Sequence, residues 1–201
     1  MRRSSTQLRK TRETEIEVKL NIDGKGKSDI NTGLGFLDHM LELFAFFAIF
    51  DLEIKAKGDL SVDIHHTNED IGITLGKALK EALGDAKGIK RFGEATVPME
   101  ECLVRVNIDI CGRSKFDYAE KQLLPQSSPD LKYSYEEGEH FLDSFIRQCG
   151  INLNVGIIKG SQDTHHVLEA IFKGLGLALK TACSIEPRRQ GITSTKGIID
   201  L

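Results

Sequence analysis

Cysteine is scarce in this chain and never paired. The cysteines among the 201 residues (Cys102, Cys111, Cys149 and Cys183) include no C-x-x-C pair. That spacing excludes a thiolate zinc site and a disulfide framework, and it predicts buried, reduced thiols. Long hydrophobic runs are also missing. The longest, Leu43–Phe50, is too short to span a bilayer and follows Asp38, His39 and Glu42, so it predicts a buried helix. No apolar stretch follows the basic N-terminus, so no secretory signal is read there, and a cytoplasmic location is expected. Charge is nearly balanced, at a formal net −3, which gives no drive toward nucleic acid or an anionic membrane. Histidine is rare as well, with six in the chain, yet four of them sit in two short runs.

Those runs are His65-His66-Thr67-Asn68-Glu69 and His165-His166-Val167-Leu168-Glu169, and a helical apolar period follows each. The flanking pattern repeats too. Residues 1–11 read as flexible and polar. Ile16, Val18, Leu20 and Ile22 alternate as a half-buried strand, the turn Asp23–Gly26 predicts a hairpin partner near Ser28–Thr32, and a helix follows over Leu37–Phe50. Leu52–Ala56 is a third strand, and Ile71 to Ala82 a second helix that stops at Gly84. The second half repeats this order. Asn21-Ile22-Asp23 matches Asn107-Ile108-Asp109 at a separation of 86, and His39 matches His140 at 101. The added residues fall in a Pro/Ser/Lys-rich surface loop around Leu123–Tyr135.

The expected fold is therefore α+β, a tandem duplication of a strand-strand-helix-strand-helix half. Two sheets carry helices on one face, related by a pseudo-two-fold. Residues 1–93 form the first half, 94–187 the second, and 188–201 a polar tail carrying Ser194-Thr195-Lys196-Gly197.

Each half offers one upstream histidine, two adjacent histidines and a glutamate. Helix positions three apart share a face, so His66 with Glu69, and His166 with Glu169, are expected to hold one ion each. His65 and His165 then reach the ion of the opposite half. The predicted sets are His39, His66, Glu69 and His165, and His140, His166, Glu169 and His65. A neighbouring subunit is the other possible source of the crossing ligands. Imidazole and carboxylate donors without thiolate suit manganese, iron, cobalt, nickel or zinc, and such mixed sets more often do chemistry than hold structure. Arg91, Arg113 and the Ser194–Gly197 segment have phosphate-binding composition. The segment lacks the upstream glycines of a P-loop, so nucleotide binding is not indicated.

Gly35-Phe36-Leu37-Asp38-His39-Met40, His65–Asp70, Pro98-Met99-Glu100-Glu101, His165-His166-x-x-Glu169-Ala170-x-Phe172-Lys173 and Ser194–Gly197 occur in that order. Together they resemble the imidazoleglycerol-phosphate dehydratases of histidine biosynthesis. The resemblance implies a metal-dependent carbon–oxygen lyase acting on a small phosphorylated imidazole, with two Mn(II) ions per active site. It implies phosphate contacts from Arg91, Arg113, Ser194, Thr195 and Lys196. It also implies substrate contacts from Glu13, His39 and Lys173, and catalytic roles for Glu13, Glu69 and Glu169. Self-association into a hollow 24-subunit shell follows from the same likeness. Some relatives carry a fused phosphatase, for which this chain has no spare length. Leu43 and Phe47 stand where the family usually has glutamine and histidine, and Asn68 where valine is usual.

The implied reaction removes water from a glycerol side chain whose departing hydrogen has no adjacent carbonyl to acidify it. The substrate's own imidazole is the available electron sink. Its coordination favours the imidazolate, which expels the neighbouring hydroxyl to give a diazafulvene, and a base, Glu13, removes the carbon-bound proton. Two other readings fit the residues less well. A metal-dependent phosphohydrolase would release inorganic phosphate, and a metal-stabilised assembly protein would bind no imidazole phosphate.

Overall fold

Polar edge strands frame both halves. The computed structural model describes residues 3–119, 123, 133–199 and 201. The first half contains β1 (Ser4–Lys10), β2 (Thr14–Asn21), β3 (Ser28–Asn31), α1 (Gly35–Ala48), β4 (Asp51–Gly58) and α2 (His65–Leu83). The second contains β5 (Phe92–Met99), β6 (Cys102–Ile110), β7 (Lys115–Ala119), α3 (Tyr135–Cys149), β8 (Ile151–Lys159) and α4 (Thr164–Cys183). The sheets have the same strand order, β1-β2-β4-β3 and β5-β6-β8-β7. The α+β duplication is therefore as expected.

Three local expectations are corrected. Each half has a further strand. Residues 4–10 are not flexible, but pair antiparallel with β2 along their whole length. Their side chains alternate little in polarity, because β1 is an edge strand with few buried positions. The predicted hairpin partner, β3, does not pair with β2; it runs parallel to β4 at the far edge. Finally, β2 and β6 correspond two residues differently from the sequence match. Leu20 lies opposite Leu52, and Ile108 opposite Leu153, so Leu20 corresponds to Ile108 at a separation of 88. The pairs Ser28↔Leu52 and Phe116↔Leu153 give the same value. The first strand of the second half opens at Phe92. Most of the expected 123–135 loop lies outside the described residues, and α3 already begins at Tyr135.

Alternation buries one face of each central strand: Ile16, Val18 and Leu20 on β2, and Val104, Val106 and Ile108 on β6. The helices cover those faces, and they do so crosswise. Helix α2 lies on β1 and β2 of its own sheet and packs on α3, while α4 lies on β5 and β6 and packs on α1. Glycine permits the close approach. A Cβ at Gly72 would meet the Phe141 carbonyl oxygen at 2.8 Å, and one at Gly176 the Phe44 carbonyl oxygen at 2.7 Å. The core formed between the sheets includes Phe44, Phe141, Phe145 and Phe172. The apolar run 43–50 is only partly buried, since Phe46 and Ile49 face outward. All four cysteines are free thiols, and no helix among the described residues is long and apolar enough to cross a membrane.

Candidate active site

The crossed packing decides which histidines meet. His39 on α1 joins His165 and Glu169 on α4, and His140 on α3 joins His65 and Glu69 on α2. In each group the donor atoms all lie within 4.8 Å of one another. These groups combine the residues differently from the predicted sets. The pair brought together on each helix is the first histidine with the glutamate four residues on, which share a face as well as residues three apart do. His66 and His166 stand outside both groups. Each upstream histidine serves the opposite half, because each first helix packs on the other half's second helix.

The two triads differ in their surroundings. Glu169 is nearly buried, accepts from His165 Nε2 at 2.9 Å and pairs with Lys173 Nζ at 2.6 Å. Burial raises the Glu169 pKa, but Lys173 and His165 outweigh it and hold the carboxyl below its ordinary value. His39 Nε2 lies 3.7 Å from the same carboxylate. The other triad is more open. The His65 and His140 rings stack at 4.3 Å. Glu69 and His140 line a cleft with Ile73, Asp143, Arg147 and Gln148.

The donor set fits a divalent transition metal. Two imidazoles and one carboxylate per group leave coordination positions open for further ligands. His140 Nδ1 is buried with no hydrogen-bond partner among the described residues, a state that a merely packed histidine rarely shows.

His66 and His166 are each held through Nδ1. The His66 atom lies 3.0 Å from Asp59 Oδ2 and 3.8 Å from Glu13 Oε2. The His166 atom lies 3.2 Å from Glu101 Oε2. Both histidines have raised pKa values, first through those hydrogen bonds to Asp59 and Glu101. Glu101 also accepts from the Ser161 hydroxyl, and these contacts bring its carboxyl down to about 2. Glu101 was not singled out from the sequence, although it stands in the Pro98–Glu101 run.

Glu13 lies in the β1–β2 turn and is half exposed. The turn is clamped to α2. Asp70, buried beside Glu69, accepts from Arg9 Nε at 2.7 Å and from the Thr14 hydroxyl at 2.6 Å. Thr11 Oγ1 accepts from the backbone N–H groups of Glu13 and Thr14.

The predicted phosphate residues come together. Arg91, Arg113, Ser194, Thr195 and Lys196 line one cleft of about 330 Å³ with Cys111, Ile198 and Ile199. Arg91 forms a two-pronged pair with Asp109 (2.6 and 3.0 Å) and donates to the Thr193 carbonyl oxygen at 2.9 Å. It thus ties the C-terminal tail to the sheet while lining the cleft, and the Asp109 hydrogen bond raises its pKa further. Arg113 and Lys196 are exposed cations free to meet an anion in the cleft. Lys173 is committed differently, between Glu169, Met99 Sδ and the face of Phe47.

Comparison with known proteins gives consistent matches over nearly the whole chain. A family model described as imidazoleglycerol-phosphate dehydratase matches residues 32–179. An imidazoleglycerol-phosphate dehydratase of Thermoanaerobacter pseudethanolicus is 53% identical over 191 residues, which cover 95% of this chain and 96% of that protein. One of Methanocella arvoryzae is 51% identical, over 98% of this chain and all of the relative. A crystal structure of the Staphylococcus aureus imidazoleglycerol-phosphate dehydratase superposes with a TM-score of 0.80 at 34% identity, covering 91% of this chain and 99% of that one. A Pyrococcus furiosus structure, in complex with (S)-C348, gives the same TM-score and identity over 95% of this chain.

Proposed function

The chain belongs to the imidazoleglycerol-phosphate dehydratase family, and from that premise we propose that its two His₂Glu triads bind Mn(II) for the dehydration of D-erythro-imidazoleglycerol phosphate to imidazole acetol phosphate. The observation that carries the reading is the crossed helix packing. It draws one histidine of each half into the other half's triad, a placement that neither core packing nor solvation requires. His39, His165 and Glu169 hold one ion, and His140, His65 and Glu69 the other. His66 and His166 stand outside both groups and supply ligands to a second copy of the chain, as the 24-subunit shell of the proposed assembly allows. A cytoplasmic location goes with this biosynthetic role.

Mn(II) held by these residues would supply Lewis acidity that favours the substrate's imidazolate form, the electron sink for loss of the hydroxyl. The protein's own groups do the rest. The cleft of Arg91, Arg113, Ser194, Thr195 and Lys196 takes the phosphate, where Arg113 and Lys196 bring positive charge and the Ser194–Lys196 turn brings backbone and hydroxyl donors. Glu13 removes the carbon-bound proton; it is half exposed, and among the described residues its carboxylate is paired with no cation nearer than His66. Lys173 holds Glu169 ionised and stands ready to meet a substrate oxygen. His39, beside Glu169, borders the substrate as well.

The test is a dehydration assay on imidazoleglycerol phosphate before and after chelation. Metal-assisted charge stabilisation is worth several kcal/mol, so chelation should cut turnover about 1000-fold, and Mn(II) should restore it. Full turnover without metal would sink the reading. Release of inorganic phosphate in place of a keto product would point to the hydrolase.

A further inference from the structure

Strand register makes Glu13 and Glu101 counterparts. At the separation of 88 set by the sheets, the β1–β2 turn corresponds to the β5–β6 turn, and Glu13 falls on Glu101. His66 and His166 are counterparts as well, in the two H-H-x-x-E runs. Each half therefore places a turn glutamate beside Nδ1 of its second histidine. The distances differ, at 3.8 Å for Glu13 and 3.2 Å for Glu101. In the first half a different carboxylate has the hydrogen bond. Asp59, in the β4–α2 loop, lies 3.0 Å from His66 Nδ1. The β6/β8 register shifts by one between Leu103 and Val104, so at this end Lys57 corresponds to Lys159 at a separation of 102, and the second half has Ser161 in the place of Asp59. No carboxylate is available there, and the turn glutamate takes the histidine.

Two unrelated loops have thus arrived at the same contact, a carboxylate on Nδ1. A carboxylate only accepts, so the neutral imidazole has its proton on Nδ1 and its lone pair on Nε2; in His166 that Nε2 lies 3.8 Å from Asp163 Oδ2. A metal-ligating histidine is commonly oriented in just this manner by a carboxylate on its other nitrogen. Ser161 adds a hydrogen bond that holds Glu101 in place, and it also accepts from the Asp163 N–H at the start of α4.

We propose that Asp59 and Glu101 are the positioning carboxylates of His66 and His166, presenting Nε2 of each as a metal ligand, and that Asp59, by taking His66, leaves Glu13 free for the substrate. This rests on the metal role given to the two histidines above. It explains why one turn glutamate is spent on a histidine and its counterpart is not. The duplication gave both halves the same glutamate, and one extra carboxylate released one copy.

The experiment uses the full-length, ¹⁵N-histidine-labelled protein, stripped with chelator and held above pH 8. Solid-state ¹⁵N spectra report the tautomer of each imidazole without metal. Two histidines should carry the proton on Nδ1 in the wild type. Asp59→Ala should convert one of them, and Glu101→Ala the other. Asp59→Asn and Glu101→Gln keep an acceptor and the side-chain shape, so they should keep the tautomers; they also serve if an alanine variant does not fold. Mn(II) titration of the same samples should show binding about 10- to 100-fold weaker in the alanine variants, the range for removing such a partner. Unchanged tautomers, or unchanged Mn(II) affinity with altered tautomers, would overturn the proposal. A wild type that binds no Mn(II) would instead overturn the metal reading it rests on, and the tautomer comparison would still decide which carboxylates orient the histidines.

Discussion

The two halves share a backbone and differ in how they dress it. Around the α4 triad, Glu169 is nearly buried and tied to Lys173 and His165, with Phe47 over the lysine. Around the α2 triad, the positions corresponding to Lys173 and Phe47 are Ile73 and Gln148, and the cleft beside them holds Asp143 and Arg147. One triad is preorganised by an internal cation; the other opens on a polar cleft. Asn68 and Leu168 mark the same divergence. Asn68 is buried, accepts from the Tyr133 hydroxyl at 2.7 Å and donates to the Glu137 carbonyl oxygen at 2.8 Å, whereas Leu168 packs in the core. Duplication fixes where a side chain starts. Its neighbours, supplied by the other half, decide what it does.

The sharpest way to break the comparison is at the paired turn glutamates. Glu13→Gln should lower kcat by roughly 100- to 10,000-fold, the usual worth of a positioned base, with little change in Mn(II) affinity. Glu101→Gln should leave kcat at saturating Mn(II) far closer to wild type. Steady-state kinetics at two Mn(II) concentrations checks both, and equal losses of kcat would erase the distinction drawn between the turns.

Next comes Asn68→Val, which makes the first half as apolar at this position as the second. It takes the 2.7 Å acceptor from the buried Tyr133 hydroxyl, leaving it the long contact to the Glu137 carbonyl oxygen at 3.4 Å, at a cost of about 1–3 kcal/mol. Adding Tyr133→Phe should recover much of that loss. A double-mutant cycle on thermal unfolding measures the coupling, and additive losses would show that the pair does not act as a unit.

A smaller effect is expected where α1 and α3 end. Both stop in the left-handed region, at Ile49 (φ 57°) in the first half and Gly150 (φ 69°) in the second. A β-branched residue is strained there, so Ile49→Gly should stabilise by about 1 kcal/mol and raise Tm by about 2–4 °C. A lower Tm would mean that the packing of the partly exposed Ile49 side chain outweighs its backbone strain.

The smallest effect concerns acid. Glu101 is held at about 2, first by the Ser161 hydrogen bond. A lowered carboxyl stabilises the fold fully above its unfolded value, about 4.5, and the contribution is lost as pH falls through the folded value. In chelated protein, once His166 is protonated, the Tm gap between wild type and Glu101→Gln should therefore be constant down to about pH 4.5, narrow below it and close near pH 2. A gap independent of pH would assign the effect to shape rather than charge.

Much of this was legible in the residues. The duplication, the eight metal-ligand candidates and the phosphate segment all stand in the sequence, because rare residue types in repeated order carry more information than common ones. The extra edge strands were hidden, since Ser4–Lys10 lacks a clear period of two. The register shift from 86 to 88 was hidden by a chance Asn-x-Asp match, which hydrogen-bonded pairing overrules. The grouping of ligands was hidden because helix periodicity permits both i+3 and i+4 partners. Only the crossed packing of α1 on α4 and α3 on α2 chooses between them. Asp59 carried no signal at all, since an aspartate after a strand is ordinary loop chemistry.

That crossed packing has a historical consequence. A half-length ancestor could not have completed a triad alone, because its first helix carries a histidine that only another copy's second helix can use. Two identical half-chains exchanging those helices would have built two identical triads, and any substitution would have struck both at once. Joining the halves into one polypeptide lifted that constraint. Lysine could then settle beside one triad while isoleucine stayed beside the other, so that an originally symmetric pair of sites became free to divide its labour.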